Sequence, residues 1–185
     1  MKRMVTVALF LVCCLSVFSN NLRDCLADYS PKLAECVKVF NQDARETCIW
    51  GAKETLRAEI DAMTRQKGSD LEGASVLLVA FFRNEGKRII TECDELTVPR
   101  TGDYYFTFFN GTPTDSIGPA DSVSFSVSEG GKKQRLIEQK GMGKNELFDA
   151  AMRLEKGKRY AIVMEELKPV ASYVTVIVTD KKLLR

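Results

Sequence analysis

The pattern of apolar and polar residues changes twice along the chain, and the first change comes within the opening twenty residues. Two basic residues precede an unbroken apolar run, Met4–Leu15, and small or compact residues follow up to Ser19. This order is typical of a secretory signal peptide, and the run is too short for a membrane span. We therefore predict a signal peptide over residues 1–19, a secreted, extracellular mature chain, and no membrane span in the remainder.

Residues 20–67 repeat apolar side chains at the helical spacings of three and four. Ser30-Pro31 predicts the start of a new helix within the first stripe, Asn41-Gln42-Asp43 separates the stripes, and Gly68 is placed to end the second. These short stripes favour packing within one chain over a coiled-coil seam between chains. The first stripe comprises Leu22, Leu26, Tyr29, Leu33, Cys36 and Phe40, and the second comprises Ile49, Ala52, Leu56, Ile60 and Met63.

After a linker at residues 68–73, the pattern of residues 74–185 becomes that of β-strands. The continuous apolar run Ala74–Phe82 is typical of a strand buried on both faces, and Ser122–Ser128 alternates apolar residues inward with serines outward. Short strands separated by turns indicate an antiparallel β-sandwich, and hence an α+β chain that begins with a helical hairpin. The predicted strands are Ala74–Phe82, Arg88–Thr91, Leu96–Val98, Asp103–Phe109, Ser122–Ser128, Lys133–Glu138, Leu147–Leu154, Arg159–Glu165 and Ala171–Thr179.

Charge and composition exclude several classes of function. Without the two basic residues of the signal peptide, the chain has as many basic as acidic residues, so we expect no nucleic-acid partner. Histidine is absent, which excludes Ser-His-Asp and Cys-His catalysis and histidine metal sites. We predict a non-enzymatic protein without cofactor or metal, and interpret three aspartates as turn caps rather than calcium ligands. These aspartates are Asp103, Asp115 and Asp121.

The mature chain keeps four cysteines, which in an oxidising compartment predict two disulfides with three alternative pairings. In a helical hairpin Cys36 and Cys48 lie at similar heights, so we favour a bridge between them. Cys25 and Cys93 would then tie the helices to the β-region. The alternative is that a cysteine links two subunits.

Three further features are candidates for function. Asn110-Gly111-Thr112 is an N-glycosylation sequon, for which we predict occupancy of Asn110. Trp50, the single tryptophan, is expected to pack against the sandwich or the other helix rather than to form a binding platform. A group of basic residues near glycine-rich turns is a candidate anionic-ligand patch, with solvated hairpins as the simpler interpretation. The patch comprises Lys132, Lys133, Arg135, Lys140 and Lys144.

The aromatic strand resembles a known family. Residues 96–109 read LTVPRTGDYYFTFF, in which aromatic residues occupy both faces, one for the core and one for a helix or another subunit. This segment is similar to a central strand of the jelly rolls in the tumour necrosis factor and complement globular-head superfamily. The order of Val123–Gly131, Leu154–Tyr160 and Tyr173–Val178 also resembles that superfamily, so the resemblance covers Ala74–Leu184.

The resemblance implies a jelly-roll domain that assembles as a homotrimer. Such a trimer would recognise an extracellular protein, a glycan or a cell surface by shape and charge complementarity, without chemistry. The alternative is a monomeric extracellular sandwich protein that binds carbohydrate or has a structural role, because such proteins use the same pattern of proline, glycine and tyrosine at strand entries. An enzyme that depends on carboxylates is the weakest interpretation.

Overall fold

The computed structural model describes residues 21–84, 89–92, 95–111, 122–129, 132–140, 145–168 and 173–183. The predicted signal peptide and Cys93 lie outside these ranges. Within them the chain forms two helices and nine strands, and every predicted strand is present with its ends shifted by no more than three residues. The elements are α1 (Leu22–Val37), α2 (Gln42–Arg65), β1 (Val76–Asn84), β2 (Ile89–Glu92), β3 (Leu96–Thr97), β4 (Gly102–Asn110), β5 (Ser122–Glu129), β6 (Lys132–Lys140), β7 (Glu146–Leu154), β8 (Arg159–Lys168) and β9 (Tyr173–Thr179).

Helix α1 runs without interruption through Pro31, so the prediction of a new helix at Ser30-Pro31 was wrong. Proline removes one backbone donor from a helix. Here the buried stripe continues on both sides of it, with Leu26 and Leu33 each 2% exposed. The Ser30 hydroxyl, instead of capping a new helix, donates to the Leu26 carbonyl oxygen at 3.0 Å. Packing of the apolar stripe therefore outweighs the missing hydrogen bond.

The two helices form a hairpin that is closed near its turn by a disulfide. Cys36 and Cys48 are bonded, with their Cα atoms 5.4 Å apart, which confirms the predicted bridge. Asn41 caps α2, and its side-chain oxygen accepts from the Ala44 amide at 3.0 Å. The turn between the helices is therefore held both covalently and by a cap.

The described strands form two antiparallel sheets, with orders β2-β1-β9-β4-β7 and β3-β8-β5-β6. Neighbours such as β1 and β9 come from opposite ends of the β-region, and most connections cross from one sheet to the other, as in a jelly roll. The predicted α+β sandwich is thus confirmed. Its core contains a cluster of phenylalanine rings, in which Phe108 lies 4.1 Å from Phe125 and 4.6 Å from Phe148 between ring centroids.

The helical hairpin covers the outer face of the five-stranded sheet. Strand β1 is covered on both faces. Phe82 points into the sandwich, and Val79 and Phe81, on the opposite face, contact the helices. Ile177 of β9 and Phe109 of β4 extend the surface under the helices and are fully buried. The hairpin therefore packs on the sandwich, and the second face of the aromatic strand contacts a helix rather than another subunit.

The serines of β5 alternate with the core residues as predicted, but they are buried. Ser124 and Ser128 are 9% and 8% exposed, and Ser126 is completely buried, although all three alternate with the core residues Phe125 and Val127. Strand β5 lies between β6 and β8, so that its short side chains are sheltered between two neighbouring strands. A serine on the outer face of an inner strand is therefore buried without belonging to the core.

Candidate recognition surface

Three of the connections between the two sheets, those that follow β4, β6 and β8, leave the sandwich at the same end. The strand registers pair Arg83 with Tyr173, Asn110 with Glu146, and Ser122 with Lys168, so these residues mark the same end. We call it the loop end. Loops held on a rigid sandwich are common positions for binding residues.

The turn of the helical hairpin points towards the same end. Cys36 and Ile49 pack against Phe81, which is paired with Thr175 close to the start of β9. Further along the sheet, Ser30 lies directly over Gly111, the residue that follows β4. The part of the hairpin around its turn, residues 38–50, is called the hairpin tip below.

The hairpin tip exposes two aromatic side chains. Phe40 is 102% exposed and Trp50 is 62% exposed, while Val163 on the four-stranded sheet is 37% exposed. The expectation that Trp50 packs inside the molecule was wrong. Ile49 occupies the inward position of α2, and the next residue of a helix lies 100° around the axis, which here faces solvent.

Charges at the hairpin tip are balanced rather than of one sign. Lys38 forms an ion pair with Glu35 at 2.7 Å, and the Gln42 amide donates to the Glu46 carboxylate at 2.9 Å. Exposed pairs of this kind contribute little to stability. The aromatic rings therefore have the greatest potential for binding at the hairpin tip. Covering them with a partner removes their unfavourable contact with water.

The middle of the hairpin contains a cluster of two buried residues, Cys25 and Tyr29, and the partly buried Glu59. The Tyr29 hydroxyl donates to one Glu59 oxygen at 2.8 Å, and the Cys25 thiol donates to the other at 3.7 Å. Burial, followed by the negative charge of Glu59, raises the pKa of Cys25 to about 12. The same causes raise the pKa of Tyr29 above its ordinary value. Both groups therefore stay protonated at neutral pH and tie α1 to α2.

Cys25 is a free thiol, so the predicted Cys25–Cys93 bridge is not formed. Because its side chain is only 3% exposed, it also has no access to a cysteine of another subunit. A protonated thiol is a poor nucleophile. The sequence signal that was missed is the position of Cys25 on the apolar stripe of α1, which predicts burial rather than pairing.

The other predicted site residues lie partly outside the described part of the chain. Asn110 is completely buried at the end of β4, which argues against a glycan on this side chain, and glycosylation stays a prediction. Lys132 and Lys140 begin and end β6, which separates them by about 26 Å at 3.3 Å per residue. The side chains of the proposed anionic-ligand patch, including Lys133 and Arg135, and the whole of Lys144 lie outside what the structure describes.

The described residues show neither a group of metal ligands nor a membrane-spanning helix. Across the described ranges, no three histidine, cysteine, aspartate or glutamate side chains are grouped as metal ligands would be. Asp103 is exposed and lies 3.8 Å from Arg153, whereas Asp115 and Asp121 are outside the described ranges. Neither α1 nor α2, the helices in the described part of the chain, has the length and hydrophobicity needed to cross a membrane.

Comparison with known proteins gives only weak structural similarities. No family model matches the chain, and no curated protein matches it. Among solved structures, Eiger TNF from S. frugiperda is similar over 56% of this chain and 92% of that one, with 11% identity and a TM-score of 0.24. Pika GITRL is similar over 53% of this chain and 93% of that one, with 11% identity and a TM-score of 0.25. Neither similarity assigns a function.

Proposed function

We propose that the mature chain is a secreted, non-catalytic recognition protein that uses the jelly roll as a scaffold and contacts its ligand through the hairpin tip. The observation that carries this proposal is the exposure of Phe40 and Trp50 on a hairpin that is closed by a disulfide and packed on the sheet. Tryptophan and other large side chains dominate the energy of many protein interfaces when a partner buries them. A preorganised support lowers the entropy cost of presenting them.

The chemistry of the chain supports a role without catalysis. The sequence has no histidine, which is the usual general base at neutral pH. The free thiol of Cys25 is buried and has a pKa of about 12, so it does not act as a nucleophile near pH 7. Recognition by complementary surfaces requires neither group.

A homotrimer stays a prediction of the family resemblance. The sheet face that carries Val79, Phe109 and Ile177 is already covered by the chain's own helices. A trimer would therefore have to use other surfaces, such as the loop end or the outer face of the four-stranded sheet. Light scattering of the mature protein gives its mass: three times the chain mass supports the trimer, and one times the chain mass supports the monomeric alternative.

Binding by the hairpin tip is tested with paired variants. The mature protein and its Phe40→Ala/Trp50→Ala variant are applied to arrays of extracellular proteins and of glycans, which also distinguish the two ligand classes. We expect the double variant to lose about 30-fold in affinity for the ligand found, equivalent to about 2 kcal/mol for truncated hot-spot residues. Val163→Ala, which truncates an exposed apolar residue on the sandwich, is the matched control and should bind normally.

Two results would contradict the proposal. Equal binding by the wild type and the double variant would place the site elsewhere on the molecule. Retention of the chain inside expressing cells would contradict secretion. N-terminal sequencing of the exported protein should find residue 20 first, and its mass before and after glycosidase treatment decides whether Asn110 carries a glycan.

A further inference from the structure

We propose that the Cys36–Cys48 disulfide is a redox switch for the hairpin tip: reduction by a dithiol releases Phe40 from its fixed position relative to Trp50 while the sandwich stays folded. The biological consequence rests on the proposed function, because the tip is the proposed binding site. The structural change itself does not depend on any ligand.

The disulfide is the outermost firm attachment of the hairpin tip. Cys36 is 4% exposed and packs with Leu33, Ile49 and Phe81, so the hairpin is anchored to the sheet up to this point. Residues 38–48 all have exposed or partly exposed side chains, and none of them is buried. The backbone bonds after α1 are local, such as the one from the Val39 amide to the Cys36 carbonyl oxygen at 3.1 Å. Closure of the tip therefore depends on the covalent link.

The two sulfur atoms differ in their access to a reductant. Cys48 is exposed on the first turns of α2, whereas Cys36 is buried against the sheet. A thiolate of the dithiol would attack the Cys48 sulfur and form a mixed disulfide, with Cys36 leaving as a thiolate that takes up a proton. The second thiol of the dithiol then displaces Cys48, which is also protonated. Two electrons pass to the protein, and the dithiol becomes a cyclic disulfide.

The rest of the fold does not depend on the Cys36–Cys48 disulfide. The sandwich core consists of residues from the strands and the turn after β3, and it contains no residue of either helix. The inner half of the hairpin has its own apolar contacts with the sheet, through Leu26, Ile60 and Met63. The Tyr29–Glu59 hydrogen bond joins the two helices in that half. Reduction is thus expected to open residues 38–48 and to leave the remainder closed.

Trp50 is a natural reporter for this change because it is the only tryptophan and lies two residues after Cys48. The experiment measures tryptophan anisotropy and hydrogen exchange of the ligand-free mature protein, oxidised and after treatment with dithiothreitol. We expect lower anisotropy on reduction, and exchange at least about tenfold faster in residues 38–48, as for a locally opening segment. Exchange in residues 76–84 and 173–179 should not change.

The Cys36→Ser/Cys48→Ser variant is the matched control. It should resemble the reduced wild type and should not respond to dithiothreitol. Unchanged exchange of residues 38–48 on reduction would overturn the switch, as would simultaneous loss of protection in residues 76–84. A failure of the proposed function would appear instead as unaltered ligand binding by the alanine variants of the hairpin tip, so the two failures can be told apart.

Discussion

Replacement of Gly111 by alanine tests whether the helical hairpin sits on the sandwich as described. A Cβ atom at this position would be placed against the Ser30 hydroxyl oxygen, well inside normal contact distance. It would also lie 2.9 Å from Cε1 of Phe109 and 3.2 Å from Cβ of Ser30. The backbone here approaches helix α1 so closely that only glycine fits, and the substitution requires the helix or the strand end to move.

The expected cost follows from overpacking of a close contact, which is about 1–3 kcal/mol for an added methyl group in a filled site. Ser30→Ala removes the nearest atom, together with a hydrogen bond to Leu26 that contributes about 1 kcal/mol. The Gly111→Ala/Ser30→Ala double variant should therefore cost less than the sum of the two single changes, by about 1 kcal/mol or more, because the main clash is gone. The remaining approach to Phe109 prevents complete relief.

Urea unfolding of the mature protein measures these differences from the transition midpoints at constant slope. Gly51→Ala is the matched control, since a Cβ atom there meets nothing within 4 Å. It should stabilise α2 by about 0.5–1 kcal/mol, the ordinary preference of a helix for alanine over glycine. A neutral Gly111→Ala variant, or costs of Gly111→Ala and Ser30→Ala that simply add, would refute the placement of α1 over the end of β4.

Two further predictions concern the buried cluster of the hairpin. Between pH 9 and 12 the free energy of unfolding should fall by about 2–4 kcal/mol, because Cys25 ionises near pH 9 when unfolded but near pH 12 when folded, so that the unfolded state gains the charge first. Cys25→Ala should remove this part of the pH dependence in urea titrations, and an unchanged profile would contradict the assignment. Glu59→Gln should lower the pKa of the folded-state Cys25 thiol, since it removes a nearby negative charge, and a pH titration of thiolate absorbance should show the thiol ionising at lower pH. Identical titration curves for the variant and the wild type would show that Glu59 does not act on the thiol.

Much of the architecture is visible in the periodicity of the sequence. The run Ala74–Phe82 predicts a strand covered on both faces, and the structure places helices on one face and the second sheet on the other. The pairing of Cys36 with Cys48 follows from their heights in a hairpin. These predictions succeed because a period of two or of 3.6, and the geometry of a tight hairpin, depend on neighbouring residues alone.

The exposure of the residues in the candidate site could not be predicted from the sequence, because it depends on which segment packs against each residue. Trp50 and Ile49 are adjacent in sequence and both apolar, yet only Ile49 faces the sheet. Phe40 continues the spacing of the first stripe, but α1 ends at Val37 and leaves it in solvent. Ser126 and Asn110 have polar side chains, yet both are fully buried in the folded chain.

The sequence by itself therefore determined the local elements of this protein: the helical stripes, the order of the strands and the short-range disulfide. The tertiary structure alone decided that the hairpin covers the five-stranded sheet, that Cys25 is a buried thiol beside Glu59, and that two aromatic rings are left at the hairpin tip. The physical reason is that periodicity and propensity act over a few residues. The burial of a side chain is instead set by contacts between segments such as α1 and β4, which lie more than 60 residues apart in the chain and meet only in the folded state.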